Sequence, residues 1–236
     1  MILAGLEVQV IGGTDGRGSG DGPVVILLHG FGAPGNDLVP LASVLRIPRA
    51  RFIFPAAPLL LETNYFGESR AWWMIDQERI EQDLATGRPR DRSKEHPAGL
   101  PEARRQIVRL LSDTCRMFEV PSERIALGGF SQGAMLACDV ALRTDMPLAG
   151  LILLSGTLIC EDEWTDLMPK RARLPIFQSH GASDRLLPFS SAVKLRDLWT
   201  SQGARVDWVE FPGEHEIPIE VLTQLATYLY RIAGQG

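Results

Sequence analysis

Residues Gly129-Phe130-Ser131-Gln132-Gly133 fit G-x-S-x-G, a spacing that can hold a serine nucleophile on a tight turn. The apolar run "RIALGG" enters the motif, and the apolar, helix-patterned "AMLACDVAL" leaves it. A nucleophile elbow needs this strand–turn–helix setting. The turn lifts the hydroxyl out of the sheet edge and aims the amide N–H of the next residue, Gln132, at a reacting carbonyl. A serine hydroxyl is a poor nucleophile at its own pKa and needs a base. Of the four histidines, His29, His96, His180 and His215, only the last two follow Ser131, as the chain order Ser, acid, His of elbow hydrolases requires. His215 lies in "FPGEHEIP", a loop after the strand pattern "VDWVEF", where active-site residues gather in an open α/β sheet. His180 ends the strand pattern "LPIFQSH" and is read as structural or as lining the site.

The orienting acid should fall between Ser131 and His215. Asp184, in "SHGASDRLLP", is the only acid in that interval directly after a buried-strand pattern. Asp139 and Asp145 belong to the helix after the elbow and its exit, and Asp197 and Asp207 fall within a helix and a strand. Glu161, Asp162, Glu163 and Asp166 form a solvated loop or helix start, and Glu214 and Glu216 flank His215 on the same turn. The expected triad is therefore Ser131, Asp184 and His215. His215 takes the serine proton and later protonates the leaving group, while Asp184 fixes its tautomer and stabilises its cation.

A second glycine motif, Gly30-Phe31-Gly32-Ala33-Pro34-Gly35, fits the dinucleotide pattern G-x-G-x-x-G after the strand-like "PVVILLHG". A dinucleotide site would place an acid at the end of the next strand, but "ARFIFPAAP" has none, and Pro34 removes one amide from a phosphate cradle. In a hydrolase the loop after this early strand supplies the second oxyanion donor, which "HGFG" suits with the Phe31 backbone N–H. No cofactor is expected. "HEIPIE" begins like H-E-x-x-H but has Ile219 where the second His must stand, so no metal site is expected.

The elements around these motifs read as an α/β chain. Strand patterns are "LEVQVIGG" (edge-like), "PVVILLHG", "ARFIFPAAP", "RIALGG", "LAGLILLSG", "LPIFQSH" and "ARVDWVEF". Helical spacing appears in 36–45, 101–118, 131–144, 190–203 and 219–234, while Gly-rich 12–22 reads as a hairpin loop. The alternation predicts one α/β domain over 1–236, with a mostly parallel sheet, helices on both faces and no large cap domain. Residues 62–100 are irregular and are expected to border the active site. The length of 236 residues, 45% hydrophobic and 22% charged content fit a globular protein with a sizeable core. A net charge of −5 argues against a nucleic-acid surface, and the basic 87–94 is read as a solvated loop. The N-terminus lacks a basic n-region and the longest apolar runs are strand-sized, so neither a signal peptide nor a membrane span is expected. Three cysteines make no disulfide framework, and a cytoplasmic location is expected.

"LHGFG", "FPAAP", "RAWWMID", "RIALGGFSQG", "HGASDRLLP" and "GEHEIP" occur in the order found in the carboxylesterase/phospholipase group that includes the acyl-protein thioesterases. The chain resembles that family over roughly residues 22–230. The resemblance implies an α/β-hydrolase fold, Ser131 as nucleophile, Asp184 as acid, His215 as base, and oxyanion donors from Phe31 and Gln132. Trp72 and Trp73 are candidates for lining the acyl pocket, with ordinary core packing the alternative. Ala134 and Ala33 depart from the family pattern of a second Gly after "GFSQG" and an acid after "HGxG", and 77–100 looks longer than in a compact member.

The expected function is hydrolysis of carboxylic esters, with a small-molecule ester or acyl substrate, through an acyl-enzyme. An acyl-thioesterase or lysophospholipase is the close alternative, since the leaving group is not written in the triad. A peptidase would need an extended groove that the sequence does not identify. Other classes are a non-catalytic binding module on the same fold, which typically loses a triad member, and an NAD-dependent oxidoreductase reading of the first glycine loop.

Overall fold

The computed structural model describes residues 1–13, 22–61, 68–86 and 90–234. The chain opens with β1 (Ile2–Leu3), β2 (Leu6–Gly12) and β3 (Val24–Leu28), then α1 (Leu41–Leu45) and β4 (Arg51–Pro55). A small hairpin, β5 (Leu59–Leu60) with β6 (Arg70–Ala71), precedes α2 (Gln77–Thr86) and α3 (Leu100–Phe118). The second half alternates β7 (Ile125–Phe130), α4 (Gln132–Arg143), β8 (Gly150–Leu154), α5 (Glu161–Leu167), β9 (Ile176–Gly181), α6 (Phe189–Ser201), β10 (Val206–Phe211) and α7 (Ile219–Ala233).

Eight strands form one sheet in the order β1-β2-β4-β3-β7-β8-β9-β10. The pairs β1–β2 and β2–β4 are antiparallel, and every other pair in it is parallel. Sheet burial on both faces explains the continuous apolar runs, because alternate side chains feed separate cores. In β3, Val24, Ile26 and Leu28 join a core that includes Leu110, Leu111 and Leu136 of α3 and α4. Val25 and Leu27 face the opposite core, with Leu45 of α1 and Val221, Leu225 and Leu229 of α7. The same split recurs in β8, with Leu151 and Leu153 on the first side and Ile152 and Leu154 on the second.

Sheet order corrects two expectations. β2 is not the edge, since the two-residue β1 lies outside it, and β2 and β3 do not form a hairpin because β4 sits between them. Residues 14–21 of the Gly-rich segment lie outside the described residues. The helix expected over 36–45 is confined to Leu41–Leu45, with turns before it. The irregular 62–100 contains α2, which sequence spacing did not reveal; residues 62–67 and 87–89, including part of the basic 87–94, lie outside the described residues.

β3 and β7 are neighbours, with Leu28 opposite Gly129, and the chain leaves β3 for β4 on its other side. Strand order reverses there, so a crevice opens beyond the carboxyl ends of β3 and β7, the usual ligand position in an open α/β sheet. His29 follows β3 and Ser131 follows β7, which brings both glycine motifs to one crevice.

Candidate active site

Ser131 sits between β7 and α4 with φ +54° and ψ −118°, a backbone conformation that an L-residue holds only under strain. The flanking glycines make this turn possible by close approach. A Cβ on Gly129 would lie 2.4 Å from the Leu28 carbonyl oxygen, and one on Gly133 would lie 2.0 Å from that same oxygen. The G-x-S-x-G spacing thus lets the elbow rest against the end of β3. Among the described residues the Ser131 hydroxyl has no hydrogen-bond partner, and Ser131 lines a cavity of about 600 Å³.

His215 lines the same cavity. Its Nδ1–H donates to Asp184 Oδ2 at 2.7 Å, which leaves Nε2 as the acceptor for an incoming proton. The Phe130 ring packs against the imidazole, with centroids 4.8 Å apart. The His215 loop is tied down from below. Ser155, fully buried after β8, donates its hydroxyl to the Glu216 carbonyl at 3.1 Å, and the Ser183 amide donates to the Gly213 carbonyl at 2.9 Å.

Asp184 is buried, and its carboxylate is fully used. Oδ1 accepts from the Leu186 and Leu187 amides at 2.8 and 2.9 Å, while Oδ2 accepts from His215. Burial alone would raise its pKa. The hydrogen bond and charge of His215, the Leu187 amide and the charge of His180 together outweigh that and hold it below the ordinary carboxylate value. His180 is fully buried; its Nε2 donates to the Leu187 carbonyl at 3.1 Å and lies 3.3 Å from Asp184 Oδ2. It is not among the cavity-lining residues, in keeping with the structural reading.

The glycine loop after β3 faces the elbow, and a Cβ on Gly30 would lie 3.4 Å from Ser131 Cβ. Phe31 and Gln132 both line the cavity, and among the described residues neither backbone amide has an acceptor. His29 holds this loop from below. The Ala57 amide donates to its Nε2 at 3.0 Å, so Nδ1 carries the hydrogen and donates to the Gly30 carbonyl at 2.8 Å. Burial lowers the His29 pKa despite the Gly30 carbonyl, which keeps the ring neutral.

Two residues do more than their motif position suggested. The Gln132 side chain is buried, accepting from the Trp72 amide at 2.9 Å and donating to the Trp73 carbonyl at 2.8 Å. Trp72 in turn donates its indole N–H to the His29 carbonyl at 2.9 Å. Both tryptophans are buried in the same core, and of the two only Trp73 also borders the cavity. Arg70 closes the frame, since the Gly32 amide donates to its carbonyl and its guanidinium donates to the Ala57 carbonyl. The signals for Gln132 and Ser155 in the sequence are weak: a buried amide in a turn and a serine at a strand end are common for many reasons. Ala134, where the family pattern has glycine, lies opposite Gly156, whose Cβ would come within 2.8 Å of the Ala134 methyl.

The remaining wall comes from the irregular segment, including Met74, Ile75 and Ile80, with Met135, Ile159, Leu186 and Leu187 opposite. Among the described residues no cluster of three His, Cys, Asp or Glu could hold a metal ion, and no helix is long and apolar enough to cross a membrane.

The phospholipase/carboxylesterase family model matches residues 18–233. The chain is 28% identical over 213 residues to acyl-protein thioesterase 1 of Neurospora crassa, covering 87% of this chain and 84% of that one. It is 30% identical over 189 residues to acyl-protein thioesterase 1 of Eremothecium gossypii, covering 75% and 72%. Among solved structures, esterase PE8 superposes with a TM-score of 0.78 at 25% identity, covering 96% of this chain and 99% of the other. The chain belongs to the phospholipase/carboxylesterase family of α/β-hydrolases and is a hydrolase of the ester-cleaving class.

Proposed function

We propose that the protein, as one α/β-hydrolase domain, cleaves carboxylic esters through an acyl-enzyme formed on Ser131. His215 Nε2 takes the Ser131 proton as the hydroxyl oxygen attacks the ester carbonyl. The Phe31 and Gln132 amides, free of intramolecular acceptors among the described residues, hold the oxyanion. His215 then gives its proton to the departing alcohol, and water, deprotonated by the same imidazole, releases the carboxylic acid and restores Ser131. Asp184 keeps Nδ1 protonated and stabilises the imidazolium, with its own charge preserved by the bonds that hold its pKa down.

The observation that carries this reading is the convergence on one cavity of a strained, unbonded serine and a histidine bound at 2.7 Å to a buried carboxylate. A thioester or lysophospholipid substrate uses the same acyl chemistry. The thioester alternative draws support from the names of the acyl-protein thioesterase relatives. Hydrolysis of p-nitrophenyl esters of two to sixteen acyl carbons, by wild type and Ser131→Ala side by side, tests the assignment. Activity that vanishes in the variant is expected. A preference for short chains supports a carboxylesterase, and rates rising with chain length move the assignment to lipid or acyl-protein substrates. Substantial turnover by pure, folded Ser131→Ala overturns it.

A further inference from the structure

Of the three arginines in the cavity wall, none used by the ester chemistry, one is both buried and without a partner among the described residues. Arg92 lines the cavity and is only 9% exposed, yet among the described residues its guanidinium has no hydrogen bond, ion pair or aromatic partner. Its Nε is buried without an acceptor, so the Nη nitrogens are the edge that an entering group can reach. A buried, unpaired guanidinium is costly to fold around, and a planar fork of donors is shaped for a carboxylate or phosphate.

The backbone around Arg92 is fixed. Asp91 Oδ1 accepts from the Ser93 amide at 2.9 Å and from the Ser191 hydroxyl at 3.2 Å. The Ser93 carbonyl accepts from the Glu161 amide at 2.8 Å, and the Glu95 carbonyl accepts from the Cys160 amide at 3.0 Å. The segment is thereby pinned to the starts of α5 and α6, so Arg92 is held in place rather than free to swing into solvent.

Among the described residues no acid forms an ion pair with it. Glu95 is engaged by Arg90 at 2.6 Å, while Asp37, Asp76 and Glu81 of the lining are exposed to solvent and Arg92 is buried. His96, also in the lining, pairs with Glu163 at 3.2 Å. Arg79, the third arginine of the lining, is exposed.

We propose that Arg92 is a specificity-determining residue that binds an anionic group, carboxylate or phosphate, on the substrate arm remote from the scissile ester. The inference rests on the Ser131 hydrolase reading but is tested apart from turnover. The preferred substrate is then an ester with a charged terminus, whose apolar stretch lies along Met74, Ile80 and Ile159.

The first arm measures binding to Ser131→Ala, which cannot consume the ligand, by calorimetry with monomethyl suberate, dimethyl suberate and an octyl phosphate. Monoanionic suberate or octyl phosphate should bind about 10- to 100-fold tighter than the neutral diester, and adding Arg92→Met should erase the difference. Tighter binding of one anion than the other identifies the group. The second arm compares turnover of mono-p-nitrophenyl suberate with that of its methyl-capped ester. Arg92→Met should lower kcat/KM about 10- to 100-fold for the charged ester only, and Arg92→Lys should restore part of it. Equal binding of charged and neutral ligands, or equal loss on both esters in Arg92→Met, overturns the proposal. Turnover of neutral esters without an anion preference would leave the hydrolase reading standing. Anion binding without any Ser131-dependent turnover would reject that reading and keep the anion site.

Discussion

His180 Nε2 lies 3.3 Å from Asp184 Oδ2, the same oxygen that accepts from His215 Nδ1 at 2.7 Å. The carboxylate is therefore seated between two imidazoles, one reaching the cavity and one sealed in the core. His180 also donates to the Leu187 carbonyl, whose own amide binds Asp184 Oδ1, so it closes a ring around the acid. Asp184→Asn should keep the geometry but present the wrong tautomer of His215, lowering kcat about 10³- to 10⁴-fold. His180→Ala should act only through the position of Asp184, lowering kcat about tenfold. His180→Gln should recover much of that loss by restoring a donor. Kinetics of the three variants on one short ester check this, and a His180→Ala enzyme with wild-type kcat would remove His180 from the positioning of the acid.

Ser131 occupies a backbone conformation that suits glycine better than any L-side chain. Both Ser131→Ala and Ser131→Gly should be inactive, yet they should differ in stability. The glycine variant, relieved of backbone strain, should unfold about 1–3 kcal/mol later than the alanine variant in urea. The comparison with alanine matters because both variants lose the hydroxyl. Equal midpoints would mean that the elbow stores no strain.

Much of the candidate site is legible in the sequence because its parts sit at strand ends. Ser131, Asp184 and His215 each follow an apolar strand pattern, and a parallel sheet delivers such ends to one edge whatever the loops between them do. What stays hidden is how the motifs are joined. "HGFG", "FPAAP", "RAWW" and "FSQG" read as separate strings, but His29, Ala57, Trp72 and Gln132 form one hydrogen-bonded frame. Their separations in the chain carry no periodicity, so no pattern announces the link. Trp72 and Trp73 show the same limit: both adjacent residues are buried in one core, yet only Trp73 also borders the cavity, and only the fold around them decides that. α2 leaves no sequence signal for a related reason, because its described residues are mostly exposed and supply little apolar spacing.

Gln132 has two tasks that mutation can separate. Every substitution except proline keeps its backbone N–H, while Gln132→Ala removes the side chain that satisfies both the Trp72 amide and the Trp73 carbonyl. Both partners are buried, so leaving them unpaired should destabilise the fold by roughly 2–5 kcal/mol. Trp73 lines the cavity and Trp72 supports the His29 carbonyl, so kcat/KM should fall as well. Thermal unfolding and ester kinetics on the same preparation check both parts. A variant of unchanged stability would show that water replaces the amide at no cost.

His29 and His180 are both buried with lowered pKa values, the first cause in each case being the burial of the ring. Each binds a proton less readily in the fold than in the unfolded chain, where the ordinary value is 6.5. The unfolded state therefore takes up more protons as pH falls below that value, and stability must drop. The contribution is fully present above pH 6.5 and disappears as pH falls towards the lowered folded values, at about 1.4 kcal/mol per pH unit for each histidine at most. Asp184 adds to the same trend lower on the scale. Its folded pKa is depressed, so its contribution is intact above 3.8 and is lost as pH falls through the depressed value. Urea unfolding at half-unit steps between pH 8 and pH 5 should give a stability that is level above neutrality and falls below it. His29→Gln should reduce the slope between pH 6.5 and 5.5, even if its absolute stability is lower. An unchanged slope in that variant would mean that His29 is protonated in the folded protein, and the Ala57 amide could not then be donating to its Nε2.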